Sequence, residues 1–265
     1  MSFIFKTYDI LSEKAVSPMT ILFLSDLHGR LYGTDGQELA NRLAKTNPDL
    51  ILIGGDLIVR RDPARAEVGC RLLEKLAQIA PCYMAPGNHE SRAFRPGETD
   101  PTCLENRDRL MQALKTSGVP FLRNEKMAIT IGGNPLCLYG YEAPLETYEK
   151  FRRPVLEKEA LTTALGHPDD TSFNILLAHN PSFVPQYLDW GADLTLCGHF
   201  HGGFMRLTQR QVLISPYGFP FPKYGYGRYD GNGGTAIVTS GLGEHVLPFR
   251  IHNPYEAVLI RVRQR

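Results

Sequence analysis

The amino-acid sequence predicts an α/β fold, a four-layer αββα sandwich in which two mixed sheets are flanked by helices. Apolar runs of strand length recur along the 265 residues, and segments with helical spacing of apolar residues separate them. Runs without polar alternation are typical of strands that other layers bury on both faces. The content of 43% hydrophobic and 22% charged residues allows a sizeable core. Since no linker or repeat interrupts the pattern, we expect a single domain over residues 1–265.

Five apolar runs predict the strands that organise the fold. The first, TILFLSD, ends in Asp26, and the second, DLILIGGD, ends in Asp56. The third, CYMAPGNHE, and the fourth, FNILLAHN, end in Asn or His residues, and DLTLCGHFH ends in two histidines. These runs span residues 20–26, 49–56, 82–90, 173–180 and 193–201.

The segments between these runs predict the helices. Leu39 and Leu43 are at helical spacing, and Pro48 follows the end of their segment. Pro63 suits the first turn of the second helix, and Gly118 suits the end of the third. The predicted helices span residues 36–45, 63–79, 106–116, 156–165 and 181–188.

The remaining strands are predicted from shorter runs. Residues 127–131 and 136–139 flank the sequence IGGNP, which is typical of a hairpin. Residues 235–238 and 257–262 follow the last long run, and we expect them to pair with each other in a second sheet.

Polar side chains gather where the predicted strands end. In open α/β sheets ligands bind at the carboxyl ends of the strands. Any one of these residues has an ordinary explanation, since an Asp often caps a turn or helix and a buried His is often a hydrogen-bonded core residue. Chance does not explain the whole set, which includes five of the eight histidines. Its members are Asp26, His28, Asp56, Asn88, His89, His179, His199 and His201.

The stretch LCGHFHGG places two of these histidines one residue apart. Side chains two residues apart point the same way in extended chain, so His199 and His201 can converge on one point if the backbone is extended there. The flanking glycines allow a close approach of the backbone. A polar turn without a ligand is the alternative.

The types of ligand indicate the metal. Imidazoles and carboxylates without cysteine suit Mn²⁺, Fe or Zn²⁺ and argue against a structural thiolate site. Seven candidate ligands are too many for one tetrahedral ion, and they suit two ions about 3.5–4 Å apart that share a bridging carboxylate. We therefore expect two divalent ions, Mn²⁺ ahead of Fe or Zn²⁺.

The ordered motifs resemble the calcineurin-like metallophosphoesterases. D-x-H, G-D, G-N-H-E, a lone strand-end His and G-H-x-H occur in that order over about residues 20–203. The later stretches GGFMRL, FPKYGYGRY, SGLG and FRIHNPYEAVLI resemble the bacterial YaeI/YkuE-type branch. The resemblance implies the metallophosphoesterase fold and one ion held by Asp26, His28 and His201. It implies a second ion held by Asn88, His179 and His199, with Asp56 as the bridge.

The resemblance also implies the chemistry. His89 would lie over the substrate as a catalytic residue, where it would stabilise the phosphoryl group or protonate the leaving oxygen. Asp56 would take part in catalysis as the ligand that both ions share. Glu90 is expected to orient loops rather than to act on the substrate.

Other residues are candidates for substrate contacts. Arg30 and Arg60 follow the first two motifs and could bind phosphate bidentately, or they could be solvated charges at helix starts. Tyr224 and Tyr226, in the aromatic segment 216–231, could stack a nucleobase or sugar, or their rings could pack onto the second sheet. Three further candidates for the cleft wall are Asn180, His245 and Arg250.

These features predict a dinuclear metal-dependent phosphohydrolase. The leading hypothesis is a phosphodiesterase that cleaves a small-molecule phosphoester through attack by a hydroxide bridging the metals. A phosphomonoesterase or nucleotide-sugar pyrophosphatase is the alternative among enzymes, and a metal-binding scaffold of the same fold is the alternative without catalysis. A net charge of +1 and the lack of an evident basic groove predict no nucleic-acid partner.

The N-terminus and the cysteines bear on the compartment. The start, MSFIFKTYDILSEKAVSP, has only a three-residue apolar stretch, and no apolar run approaches the roughly 20 residues of a membrane span. The five cysteines are scattered without a C-x-x-C motif, as expected of core residues in a reducing compartment. We expect a cytoplasmic protein without a signal peptide or membrane span.

Overall fold

The computed structural model describes residues 2–203, 205–206, 208, 212–244 and 250–265. Its strands are β1 (Ile4–Ser12), β2 (Met19–Leu24), β3 (Leu50–Ile53), β4 (Cys82–Met84), β5 (Glu125–Ile131), β6 (Asn134–Tyr141), β7 (Phe173–Ala178), β8 (Leu194–Cys197), β9 (Gly227–Gly231), β10 (Gly234–Val238) and β11 (Glu256–Gln264). Its α-helices are α1 (Gln37–Ala44), α2 (Pro63–Ala77), α3 (Asn88–Ala93), α4 (Pro101–Ser117), α5 (Ala160–Leu165) and α6 (Val184–Trp190).

The strands form two mixed sheets. The first has the order β1-β11-β2-β3-β4, in which β2, β3 and β4 are parallel and β11 runs antiparallel to β2. The second has the order β5-β6-β7-β8-β10-β9, in which β6, β7, β8 and β10 are parallel. Each sheet therefore gathers the carboxyl ends of several parallel strands at one edge.

Three apolar clusters separate the four layers. In β2, Ile21 and Phe23 belong to the cluster between the two sheets, whereas Leu22 and Leu24 belong to the cluster under α1, α2 and α4. In β7, the side chains alternate in the same way between the inter-sheet cluster and a third cluster under α5 and α6. Because both faces of β2 and β7 are covered, these strands are apolar nearly throughout. The predicted αββα sandwich of two mixed sheets is confirmed.

Two helix starts follow a shared rule. Asp62 and Asp100 are N-caps whose carboxylates accept the backbone N–H of the third helical residue, and each is followed by proline at the first helical position. The sequence prediction placed the start of α4 at residue 106. The capped proline starts it five residues earlier, at Pro101.

The predicted pairing of residues 235–238 with 257–262 is wrong. β10 pairs with β8 and β9 in the second sheet, whereas β11 lies between β1 and β2 in the first. β1 was not predicted, because most of its residues are at least partly exposed and give no continuous apolar run. It completes the first sheet by running parallel to β11 over all nine residues. No helix of the described residues is both long and apolar enough to cross a membrane.

Candidate metal centre and cleft

The strand-end residues of both sheets meet in one place. Asp26 and His28 follow β2, Asp56 follows β3, and the pair Asn88 and His89 begins α3 shortly after β4. The second sheet supplies the rest: His179 follows β7, and His199 and His201 follow β8. All are buried except the partly exposed His201. The structure thus brings the eight residues singled out from the sequence to the common edge of the two sheets.

His179 shows why this cluster suits a cation. Its Nδ1 lies 2.7 Å from the carbonyl oxygen of Gly54, so Nδ1 carries the proton and donates it. The other ring nitrogen, Nε2, lies 3.3 Å from Asp56 Oδ2 and 3.7 Å from Asp26 Oδ1. When the His179 ring is neutral, the lone pair of Nε2 faces two carboxylate oxygens. A cation held between Nε2 and these oxygens stabilises this arrangement.

A second pair of nitrogens faces the same carboxylates. The rings of His28 and His201 stack with centroids 4.9 Å apart, and their Nε2 atoms lie 3.1 Å from each other. His28 Nε2 is 3.6 Å from Asp56 Oδ2, and His201 Nε2 is 3.5 Å from Asp26 Oδ1. One group able to hold a metal ion therefore consists of Asp26, His28 and His201.

A neighbouring group contains Asp56, whose Oδ2 also lies 3.6 Å from His28 Nε2 of the first group. The ligand atoms of Asp56, His179 and His199 lie within 4.8 Å of one another. In one orientation of its amide, Asn88 donates to His199 Nδ1 at 2.8 Å, and in the other its carbonyl oxygen faces the same point. The second orientation is the one that a metal ligand requires. The donor set of imidazoles, carboxylates and one amide fits divalent ions such as Mn²⁺, Fe or Zn²⁺.

The two carboxylates differ in their electrostatics. Burial raises the pKa of Asp26 to about 6, although His179 opposes the rise. Burial acts in the same direction at Asp56, but the imidazoles of His179, His89 and His28 outweigh it and hold the pKa of Asp56 well below its usual range. The same carboxylates, Asp56 ahead of Asp26, outweigh the burial of His179 and raise its pKa to about 9. Negative charge is therefore concentrated on Asp56.

Left-handed backbone presents these side chains. The non-glycine residues with positive φ in this centre are Asp26 (52°), His28 (48°), Asp56 (53°), His199 (64°) and His201 (52°). The expectation that extended backbone aligns the last two is therefore wrong, since β8 ends at Cys197 and the chain turns. The turn is held by the N–H of His199, which donates to Asp26 Oδ1 at 3.0 Å. Gly198 packs against Asp26 without room for a Cβ atom.

Glu90 holds the loop that carries Asp56. Its Oε2 accepts the backbone N–H groups of Asp56 (2.8 Å) and Gly87 (2.9 Å). Its Oε1 accepts those of Leu57 (2.9 Å) and Ile58 (3.2 Å). Burial and the neighbouring Asp56 raise the pKa of Glu90 to about 7, and the backbone donors oppose that rise. Glu90 is fully buried and positions loops, in agreement with its expected role.

We expect Glu90→Gln to destabilise the fold. At pH 8 Glu90 is mostly a carboxylate, and each of its two oxygens accepts two backbone N–H groups. Glutamine replaces one of these oxygens with an NH₂ group, which cannot accept a hydrogen bond. Each buried N–H left without an acceptor costs about 1–3 kcal/mol. Urea denaturation at pH 8 measures this loss. The control is Glu105→Gln, since Glu105 has a 63% exposed side chain that pairs with Arg109 on α4; its effect should stay within about 0.5 kcal/mol. Equal stability of Glu90→Gln and wild type would contradict the positioning role.

His89 lies beside the cluster with its ring orientation fixed. Its backbone N–H donates to Asp56 Oδ1 at 2.8 Å, and its ring lies edge-on to His28 at 5.0 Å. The N–H of Arg60 donates to His89 Nδ1 at 3.3 Å, so a neutral His89 carries its proton on Nε2. One ring nitrogen also lies within 4.8 Å of ligand atoms of His28 and Asp56. Geometry alone therefore permits either a proton donor or a ligand at this position.

A cleft of about 560 Å³ opens over the centre. Asp56, Asn88, His199 and His201 contribute to its lining. Its apolar wall consists of Tyr148, Phe200, Ile214, Pro216 and Tyr217. Its charged lining residues are Arg92, Glu149, Lys150, Glu244 and Arg250. The cleft is larger than a phosphoryl group and combines apolar surface with cations.

Sequence reasoning missed Tyr148, Arg92 and Lys150 in this cleft and did not single out Tyr217 within the aromatic segment 216–231. Tyr148 and Tyr217 place their rings 4.9 Å and 5.6 Å from the His199 ring. Nothing in the local sequence distinguishes Tyr148 from most other tyrosines, whereas Tyr217 belongs to the aromatic segment 216–231 that is expected to supply stacking side chains. Arg92 had a usable signal, because it follows Asn88 by four residues and this spacing places both on one face of a helix.

The arginines predicted to contact phosphate are neutralised by carboxylates. Arg30 pairs with Glu244, and its guanidinium lies 3.9 Å from the centre of the Tyr255 ring. The guanidinium of Arg60 pairs with Glu98 at 3.4 Å. Neither arginine belongs to the described lining of the cleft. Their placement favours structural ion pairs over the predicted phosphate contact.

The tyrosines predicted to stack on the substrate are used in packing: Tyr224 packs against the apolar cluster of the second sheet, and Tyr226 is buried against Glu256 at the start of β11. Tyr226 is 6% exposed, and its hydroxyl donates to the Glu256 carboxylate at 2.7 Å. The guanidinium of Arg206 lies 3.8 Å from the centre of the Tyr226 ring. Tyr224 packs edge-on against Tyr229 at 5.1 Å, and neither predicted tyrosine is among the described cleft residues. The packing alternative is the one that the structure favours.

The three further candidates for the cleft wall lie in different places. Asn180 is fully buried behind the wall, where its amide donates to the Tyr217 hydroxyl at 2.8 Å. Arg250 lines the cleft, and its Nη2 lies 3.3 Å from His201 Nδ1. His245 lies outside the residues that the structure describes.

Imidazoles and carboxylates at the meeting edge of two stacked mixed sheets are typical of metal-dependent hydrolases, and this chain has that architecture. The family model described as calcineurin-like phosphoesterase matches residues 19–203. The chain belongs to this family and is a metal-dependent phosphoester hydrolase.

Curated relatives extend the likeness beyond the matched region. An uncharacterised protein of Bacillus subtilis, YpbG, is 30% identical over 92% of this chain and 81% of its own length. The phosphodiesterase YaeI of Escherichia coli is 29% identical over 72% of this chain and 63% of its own length. The uncharacterised metallophosphoesterase YkuE of Bacillus subtilis is 26% identical over 87% of this chain and 74% of its own length. The chain thus spans slightly under two thirds of YaeI, whose name includes an activity.

Proposed function

We propose that the chain is a dinuclear metal-dependent phosphodiesterase that acts on a small-molecule phosphoester. The observation that carries the proposal is two adjoining imidazole–carboxylate groups on the floor of a cleft of about 560 Å³, with Asp56 in one group and its Oδ2 3.6 Å from His28 Nε2 of the other. A shared carboxylate between two ligand groups is the arrangement of two-metal phosphoesterase sites.

The proposed ligands follow the two groups, with Asn88 added to the second and Asp56 shared by both ions. Asp26, His28 and His201 would hold one ion, and Asn88, His179 and His199 the other, with Asp56 between them. Two divalent ions, when bound, would activate water and neutralise the charge of the phosphate oxygens. We expect Mn²⁺, with Fe and Zn²⁺ as the alternatives that the same donors accept.

His89 would act as the proton donor. With Nδ1 accepting the Arg60 N–H, a neutral His89 carries a proton on Nε2 that can hydrogen-bond a phosphoryl or leaving oxygen, whereas transfer of a proton to that oxygen requires the imidazolium form. The contact between the His89 N–H and Asp56 fixes this residue relative to the shared carboxylate. In this proposal His89 supplies a proton to the leaving oxygen, and Asp56 carries the negative charge that both ions share.

The cleft supports a diester with a sizeable ester group. A phosphoryl group fills only a small part of about 560 Å³, and the aromatic and aliphatic wall suits the apolar or ring-bearing part of an ester. The phosphodiesterase name of YaeI points the same way.

We also propose one domain over residues 1–265 and a cytoplasmic location. The apolar cluster between the sheets joins residues from β1 through β11, so the termini share a core. All five cysteines are buried and unpaired, which suits a reducing compartment.

Metal removal tests the proposed function. Purified protein should hold two ions per chain by elemental analysis and should hydrolyse bis(4-nitrophenyl) phosphate faster than 4-nitrophenyl phosphate. Chelation should abolish both reactions, and Mn²⁺ should restore them. Preferential hydrolysis of the monoester would instead favour the phosphomonoesterase alternative. Bound metal without hydrolysis of any phosphoester would favour the scaffold.

A further inference from the structure

Arg92 projects from α3 toward the candidate metal centre. It lies four residues after Asn88 on α3, so the two side chains share a face of the helix. Both line the cleft together with Asp56 and His199. The Arg92 Nη1 atom lies 3.1 Å from the Asn88 amide, at the end of that amide facing away from His199.

The charge of Arg92 is not neutralised by a carboxylate. Among the residues that the structure describes, no Asp or Glu oxygen lies within the 4.0 Å of an ion pair from its guanidinium. Its neighbours in sequence and space differ: Arg60 and Arg95 both pair with Glu98, at 3.4 Å and 3.2 Å. Burial lowers the pKa of Arg92, and the Asp56 carboxylate opposes this only from beyond ion-pair distance. A half-buried guanidinium without an ion pair is costly, so its position at a cleft points to an anionic ligand.

Tyr148 supplies a neutral donor beside Arg92. Its ring is 7% exposed and stands perpendicular to His199, with centroids 4.9 Å apart. Within the described parts of the chain, its hydroxyl has no hydrogen-bond partner, although it lines the cleft. The preceding turn is tied to the cleft wall by Asn180, whose amide donates to the Thr147 carbonyl at 3.4 Å and to Tyr217 at 2.8 Å.

We propose that Arg92 and Tyr148 form an oxyanion site that binds the non-bridging oxygens of the substrate's phosphoryl group. The inference rests on the proposed function and names the residues that hold the phosphate. A guanidinium offers two parallel N–H donors that match two oxygens of a tetrahedral phosphate, and a phenol adds a third. The ligand class is a tetrahedral oxyanion next to the group of Asn88, His179 and His199. The phosphate contact expected of Arg60 from its sequence position is thereby assigned to Arg92.

Calorimetric titration of the Mn²⁺-loaded protein with inorganic phosphate tests the site directly. Arg92→Gln should weaken phosphate binding by roughly 10- to 100-fold, because it removes hydrogen bonds from a charged group. Arg92→Lys should recover part of the affinity, and Tyr148→Phe should lose less than Arg92→Gln. The matched control is Arg95→Gln, since Arg95 lies three residues further along the chain and pairs with Glu98. It should bind phosphate as the wild type does.

Two further readouts separate ligand binding from a structural effect. Metal content and melting temperature should be unchanged in Arg92→Gln, whereas its KM for the diester should rise more than its kcat falls. Wild-type phosphate affinity in Arg92→Gln, or an equal loss in Arg95→Gln, would overturn the site, as would a wild-type protein that binds no phosphate. A wild-type protein that binds phosphate and metal but hydrolyses no ester would instead refute the proposed function alone.

Discussion

Asp56→Asn should lose more than about 10²-fold in kcat, because even residues that only support metal ligands cost 10- to 100-fold when changed. Its Oδ1 accepts the His89 N–H, so the asparagine should keep its oxygen there and turn its NH₂ group toward His28 and His179. That group carries no charge and cannot coordinate a metal. The substitution therefore removes the shared ligand while it preserves the local hydrogen bond.

Elemental analysis should show fewer than two ions per chain in Asp56→Asn. A suitable control is Asp62→Asn, because Asp62 caps α2 and asparagine caps helices equally well. It should keep full metal content and activity. A fully active Asp56→Asn protein with two ions would exclude the proposed shared carboxylate.

His89→Ala should retain both ions and lower kcat by roughly 10²- to 10⁴-fold, the range for loss of a general acid. The deficit should be smaller for bis(4-nitrophenyl) phosphate than for an alkyl ester, because a good leaving group needs little protonation. Parallel kinetics on the two esters, with metal analysis of the same samples, provides the measurement.

The result also decides between the two roles that the geometry of His89 permits. Loss of metal in His89→Ala would make this residue a ligand together with His28 and Asp56. The control is the exposed His167, whose replacement by alanine should change neither metal content nor rate. A His89→Ala deficit that is equal for both esters would argue against protonation of the leaving group.

The buried strands and the candidate ligands were predictable from the sequence because their signals are local, whereas the partly exposed β1 was not. A buried strand appears as a continuous apolar run, and the polar residues that end it mark the edge at which ligands gather. The pairing of β11 was not predictable, since its apolar face fits either sheet and only the assembled layers place it next to β2. The apolar run of β11 indicates a strand but carries no information about its partners.

The substrate contacts were the least predictable part. Arg60 and Arg92 carry the same charge, and what separates them is Glu98, which neutralises Arg60 after the chain has folded. Likewise Tyr217 lines the cleft and Tyr226 is buried with its hydroxyl on Glu256, although both belong to one irregular aromatic segment. Such distinctions depend on contacts between residues that are distant in sequence.

The left-handed backbone at the proposed ligands lowers the stability of the fold, although the side chains at these positions are needed for activity. Non-glycine residues seldom occupy this region, and aspartate and histidine tolerate it better than most, at a cost of order 1–3 kcal/mol each. Glycine would relieve the strain at Asp56 or His199, yet it would remove the ligand. Selection for heat resistance alone would therefore favour substitutions that erase the centre. These positions persist only while an organism depends on the reaction, so a lineage released from that need should lose them before it loses the fold.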